Sequence, residues 1–389
     1  MACDGCDRSR AMGYKFCIKC GQNFADEAMV PVHTAENKEG IFKESTLRQL
    51  VVPSMIVLVI AILTSLVIML LDFNATLDYV KGEVVDIWVW LLTMFKLVKL
   101  TDAASQGFYV FLAVVLIASS VLVLWDSKEF FRPGEGYFDR IDKTPLFWLG
   151  LLFGAVLFLE IVLSGFFSLI GMGIEIPGGL LDMTLEEALF KLSEAAVWEE
   201  LMFRMLLFGV PVTIVAIACR EKGALRYLFG GFGSSKLTIT FLIISSVLFA
   251  LAHVDSWGVS KFFTVILGGF MLGYVYMRFG IHVAIVCHMI NDFSMVWTLG
   301  AGGVLSALLL LAILGLGALN LPLLFKKTVK GIRNVKNLPQ TGFSVAEVDM
   351  SLEDAGSPPG AHEDALTENR LREEGEPEHQ DDSQGPRTD

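Results

Sequence analysis

Glu199-Glu200-Leu-Met-Phe-Arg204 lies inside an apolar run from Ala195 to Ala218. Two carboxylates and a guanidinium there cost roughly 2.5–3.5 kcal/mol each if the run is a membrane helix. Such groups are kept where they face protein or a wet cavity and do something. On a helix, Glu200 and Arg204 are i,i+4 neighbours with the carboxylate first, the favourable order for an ion pair. Glu199 points about 100° away, so it is left as a free base beside a neutralised pair. Two other apolar runs carry groups that could work with it, Phe249-Ala-Leu-Ala-His253 and His288-Met-Ile-Asn291-Asp292. Asn291 and Asp292 follow His288 by three and four residues, so they share roughly one helix face. A base, two imidazoles and an amide or carboxylate could activate water and stabilise an oxyanion during amide hydrolysis. They would equally serve a proton relay or hold a divalent metal, or merely tie a bundle together. A lone Glu160 reads as a structural partner for another buried polar group.

The elements that must position these groups are membrane spans. The chain is 54% hydrophobic, above the roughly 45–50% of soluble domains. The excess is gathered in runs of about 20 residues, enough to cross a bilayer core. Runs at about 50–72, 106–125, 146–171, 190–218, 237–254, 260–279, 281–298 and 302–325 predict an all-α polytopic bundle of about eight transmembrane helices. The stretch 84–100 carries Asp86, Lys96 and Lys99 and is expected to be an interfacial amphipathic helix rather than a ninth span. Lys326, Lys327, Lys330, Arg333 and Lys336 follow the last run. Arg220, Lys222, Arg226 and Lys236 mark another basic loop, as do Lys128, Arg132, Arg140 and Lys143, whereas 172–189 has neither Lys nor Arg. The positive-inside rule then puts both termini in the cytoplasm of a multi-pass cell-membrane protein. The first long apolar run begins near Leu50 behind a polar segment, so no secretory signal peptide is expected.

Residues 1–22 read as a small zinc ribbon. Cys3-Asp-Gly-Cys6 and Cys17-Ile-Lys-Cys20 form two knuckles that turn four thiolates onto one tetrahedral structural zinc. So short a segment takes its folding energy from the metal. Two disulfides are the alternative in an oxidising compartment. Cys219 and Cys287 stand alone in apolar surroundings and read as small hydrophobes. A polar linker, 23–46, precedes the N-terminal membrane helices and interfacial segment, 47–145, and a core with the last span, 146–325. The remainder, 326–389, is a basic juxtamembrane stretch and an acidic tail too poor in apolar side chains to fold. That tail holds much of the net charge of −12, which therefore implies neither acidic nor basic partners. Without a basic face studded with aromatics, nucleic acid is not an expected partner.

Glu199-Glu200-xxx-Arg204, Phe249-xxx-His253 and His288-xxx-Asp292, in that order and each in an apolar run, resemble the motifs of the CPBP family of intramembrane proteases. That family includes the type II CAAX prenyl endopeptidases and the Abi-type bacteriocin-immunity proteins. The resemblance covers about residues 146–298. It implies that Glu199 activates the attacking water with help from His253, that Glu200 and Arg204 support it, and that His288 with the Asx four residues on forms an oxyanion site. Here that residue is Asp292, where many relatives have Asn. A charged carboxylate would repel an oxyanion, so Asp292 must carry a proton, act differently, or leave the donor role to Asn291. The family has often been classed with metalloproteases, although a water held by Glu and His needs no metal, and no HExxH pattern lies in the spans. A catalytic zinc held by Glu and His or Asx remains the alternative.

The expectation is an intramembrane endopeptidase that acts on a membrane-embedded or lipid-anchored protein in the bilayer. A non-enzymatic scaffold, immunity or partner-binding protein is one rival. A proton-coupled transporter is the other, and no repeated pair of broken helices favours it.

Overall fold

A computed structural model describes residues 44–90, 93–173, 179–180 and 182–341. The zinc-ribbon cysteines Cys3, Cys6, Cys17 and Cys20 and the acidic tail from 342 lie outside these residues. The chain runs through α1 (Glu44–Leu71), α2 (Phe73–Lys81), a hairpin of β1 (Val85–Trp90) and β2 (Met94–Leu100), α3 (Ala103–Asp126), α4 (Tyr137–Ile141) and α5 (Pro145–Leu169). A long helix, Leu185–Ala218, follows. It opens as α6 (Leu185–Glu194), is wound as π-helix over Ala195–Glu199 and Leu201–Gly209, and closes as α7 (Val210–Ala218). Then come α8 (Lys236–Ala252), α9 (Val254–Trp257), α10 (Val259–Phe279), α11 (Ile281–Asp292), α12 (Ser294–Gly300) and α13 (Gly303–Asn334). Among the described residues seven helices are long and apolar enough to cross a bilayer, and α11 with α12, bent by 52°, makes up to an eighth. The protein is a polytopic helical bundle.

Lipid tails are as apolar as leucine, so what joins these helices is close packing and buried hydrogen bonds. Gly154 of α5 and Gly317 of α13 meet at the crossing of the two helices: a Cβ on Gly154 would stand 2.6 Å from the Ile313 carbonyl oxygen. We expect Gly154→Val to force α5 and α13 apart and lower the melting temperature in detergent by several degrees. An unchanged melting curve would refute the close-packed crossing. Beside it, buried Asn320 donates to Ser54 Oγ at 2.9 Å and to the Gly150 carbonyl at 3.1 Å, clamping α13 to α1 and α5. Trp297 Nε1 of α12 donates to Ser65 Oγ of α1 at 2.9 Å.

Ion pairs gather at one end of the bundle. Arg48 reaches Asp139 at 3.4 Å and Asp142 at 3.7 Å, Lys326 reaches Glu44 at 2.8 Å, and Lys327 reaches Asp142 at 3.4 Å. The basic stretch after the last span continues α13 to Asn334. The carbonyls of Pro339 and Gln340 then accept from the N–H groups of Lys236 and Leu237 at 3.0 and 3.2 Å, capping α8.

The stretch 84–100 is not the expected interfacial helix. Val85-Asp86-Ile87-Trp88-Val89-Trp90 alternates and is rich in β-branched and aromatic residues, which suit a pleated surface better than a helix. It pairs antiparallel with Met94–Leu100, Asp86 facing Lys99 and Val89 facing Phe95, with a slip between Ile87 and Trp88. Val85, Ile87 and Trp90 are buried, and Asp86 pairs across the hairpin with Lys96 at 2.5 Å. The polar residues read as a helix's wet face thus meet across the strands, Asp86 opposite Lys99 and paired with Lys96.

Candidate active site

The site is built around the π-wound part of Leu185–Ala218. A π-turn inserts extra residues per turn and commonly marks functional positions. Pro211, just beyond it, has no N–H to give the ladder. The winding turns Glu199 and Glu200 to different surroundings. Glu200 and Arg204 are fully buried, Arg204 Nε lying 3.3 Å from Glu200 Oε2. Glu199 keeps 27% of its side chain exposed.

Arg204 is held on three sides. Besides Glu200, it donates from Nη1 to Ser245 Oγ at 3.2 Å, and its guanidinium lies 4.7 Å from the Phe249 ring centroid. Ser245 in turn donates to the Phe203 carbonyl at 2.7 Å, locking α8 onto the π segment. The other oxygen of Glu200 faces His288 Nδ1 of α11 at 2.9 Å. A chain Arg204–Glu200–His288 therefore crosses the bundle behind the cavity wall.

His288 is nearly enclosed. Its Nε2 lies 3.4 Å from Asp292 Oδ2, one helical turn on, and 3.9 Å from Glu199 Oε2. A ring protonated on both nitrogens donates to Glu200 and Asp292 together. Asn291 Nδ2 donates to the other Asp292 oxygen at 3.1 Å.

His253 ends α8. Its Nδ1 sits 2.8 Å from the Phe249 carbonyl, an acceptor only, so the ring carries a proton there. In the neutral tautomer Nε2 is then a lone pair. It faces Glu199 Oε2 at 3.8 Å. That oxygen is buried and has no hydrogen-bond partner among the described residues. Its distances of 3.8 and 3.9 Å to the two imidazoles are too long for direct hydrogen bonds and suit a bridging water.

Glu199, His253, His288, Asn291 and Asp292 line one cavity of about 430 Å³, with Glu160, Trp257 and Lys261 on the same walls. Glu200 and Arg204 stand behind it. The seven candidate catalytic residues singled out from sequence thus come together, and Glu160 joins them rather than pairing elsewhere in the bundle. Sequence reasoning did not find Ser245, Trp257 or Lys261. Trp257-Gly258 followed by Lys261 carries no pattern that sets it apart from an ordinary interfacial turn.

The hairpin touches the same helix. Trp198 Nε1 donates to the Trp88 carbonyl at 2.6 Å, and Trp90 rests on Phe203 with ring centroids 5.8 Å apart. Residues on either side of the glutamate pair are therefore braced from outside the cavity.

Among the described residues no group of three or more His, Cys, Asp or Glu side chains is arranged to hold a metal ion. Glu200, His253, His288, Asn291 and Asp292 pair with one another or with backbone, and only Glu199 Oε2 is left open among them.

Residues 183–294 match the family model of the type II CAAX prenyl endopeptidase Rce1-like proteins. No curated protein and no solved structure matched the chain. The matched stretch runs from the start of the π-wound helix through the end of α11 and holds Glu199, Glu200, Arg204, His253, His288, Asn291 and Asp292, so this part of a multi-pass membrane protein is similar to the CAAX-type intramembrane proteases.

Proposed function

We propose that the protein is an intramembrane endopeptidase that hydrolyses a peptide bond of a membrane-embedded or lipid-anchored protein. The observation that carries this is the unpartnered Glu199 Oε2, set between two imidazole nitrogens at 3.8 and 3.9 Å on the wall of a cavity. A carboxylate so placed is a general base with room for one water. Glu199 takes a proton from that water while His253 Nε2 orients it. The oxygen attacks the carbonyl carbon. The oxyanion is met by His288 Nε2–H, which it shares with Asp292 at 3.4 Å, and by the Asn291 amide, whose second N–H is free of Asp292. Asp292 holds His288 and Asn291 in place and is not itself an oxyanion donor. Glu199 then passes its proton to the amide nitrogen, the C–N bond breaks, and the fragments leave as a carboxylic acid and an amine.

The basic loops are all on the end of the bundle where Arg48, Asp142 and Lys327 meet, and we assign that end to the cytoplasm. His253 and Asp292 end their helices toward the opposite face. Substrate must then reach a site in the far half of the bilayer.

The test is cleavage by purified protein in liposomes, using a lipidated peptide library read by mass spectrometry for new termini. His253→Ala is expected to lower kcat by about 10²-fold or more, the low end of the range for a positioned acid–base group. Hydrolysis undiminished in that variant would refute the mechanism. Ion or proton flux without any hydrolysis would favour the transporter.

A further inference from the structure

The cavity holds a second set of charged groups besides Glu199 and its partners. Glu160 enters it from α5, and Lys261 from the first turn of α10. Lys261 Nζ lies 4.2 Å from the centroid of the Trp257 ring. Glu160 and Asp292 are the carboxylates whose charges reach the ammonium, yet neither forms an ion pair with it among the described residues. Glu160 is turned toward Gly268, its Oε1 only 3.0 Å from where a Cβ would stand there. Asp292 is engaged with His288 and Asn291. Lys261 is thus a cation with an aromatic wall, two acids at a distance, and no fixed counter-ion.

Much of the rest of the cavity wall, Val156, Leu157, Val265 and Leu272 included, is apolar. An ammonium in such surroundings strongly favours an anion that can approach it directly. The nearby acids decide what kind. A dianionic phosphate would meet repulsion from both Glu160 and Asp292 against one ammonium. A single carboxylate matches the one ammonium and meets half the repulsion from the two acids that a dianion would. Tryptophan beneath the ammonium adds a flat apolar surface for the chain that bears it.

We propose that Lys261 is a specificity-determining residue that receives a carboxylate of the peptide being cut, and so sets the distance from that carboxylate to the bond presented to Glu199. This rests on the reading of the cavity as a protease site. The carboxylate can come from the peptide's C-terminus or from an acidic side chain, and the two sources are separable.

The experiment uses the full chain in liposomes and three lipidated peptides of one sequence: a free C-terminal acid, its C-terminal amide, and an amide bearing Asp as the last residue. Wild type is expected to favour one carboxylate-bearing peptide over the plain amide by at least tenfold in kcat/KM, mostly through KM. Preference for the free acid alone assigns the C-terminus, and equal use of the Asp-bearing amide assigns a side chain. Lys261→Met is expected to cut all three at the rate of the plain amide, and Lys261→Arg to recover part of the preference. Glu160→Gln/Lys261→Met removes both charges and covers the case in which the single variant fails to fold. Equal cleavage of all three peptides by wild type, or a preference that survives Lys261→Met, overturns the proposal. Binding of the same peptides to Glu199→Gln is measured in parallel. A Lys261-dependent binding preference without hydrolysis by wild type supports the carboxylate site and sinks the protease reading. Neither hydrolysis nor binding preference sinks both.

Discussion

Glu199→Gln is expected to reduce hydrolysis by about 10³-fold or more, near the middle of the range for a lost general base, with little change in melting temperature. Glutamine keeps the shape and one carbonyl oxygen but cannot take a proton from water. A 10³-fold loss corresponds to about 4 kcal/mol of transition-state stabilisation, at 1.36 kcal/mol per factor of ten. The fold should not notice, because Glu199 Oε2 makes no hydrogen bond and the side chain faces the cavity. Single-turnover hydrolysis and thermal unfolding in the same detergent would be read together. A variant that hydrolyses normally removes the base from the mechanism. One that unfolds makes Glu199 a structural residue after all. The scaffold reading predicts neither loss, since an amide can replace every packing contact a carboxylate makes.

Most of the architecture was legible because a bilayer restricts the choices. Long apolar runs had to become helices, and the spans came out at the expected places. The polar residues inside them had to find each other, and they did. What escaped detection was local. Residues 84–100 satisfied an amphipathic-helix reading by composition, but their β-branched and aromatic alternation is a period of two, and the Asp86–Lys96 pair closes across strands. The π-winding of Ala195–Gly209 has no periodicity of its own in the sequence, and Pro211 just beyond it is a residue that ordinary membrane helices also carry. An ideal α-helix already separates Glu199 from Glu200, so the division between them survived the wrong local geometry. Lys261 was unreadable for a different reason: a lysine beside a tryptophan at a span's edge is ordinary, and only the cavity reveals that it points inward.

Arg204 should behave in the opposite way to Glu199. It is fully buried, paired with Glu200 at 3.3 Å, donating to Ser245 and resting on Phe249. Arg204→Met leaves the Glu200 carboxylate inside the protein with only His288 to compensate it. Removing one member of a buried ion pair costs about 3–5 kcal/mol. Glu200→Gln strands the guanidinium instead and loosens His288, so it should lose both stability and activity. The pair removed together, Glu200→Gln/Arg204→Met, leaves no orphaned charge. We expect it to be more stable than the sum of the single losses predicts, with a coupling of about 1–3 kcal/mol, in the range seen for directly contacting residues. Strict additivity in thermal unfolding would show that the two side chains do not act as a pair. Activity adds a second axis, since restoring charge balance does not restore the carboxylate that holds His288 Nδ1. The double variant should therefore regain stability without regaining hydrolysis. That pattern separates the residues that keep the helices together from the one that performs the chemistry, a distinction that charge and burial alone do not make for three ionisable groups on one helix.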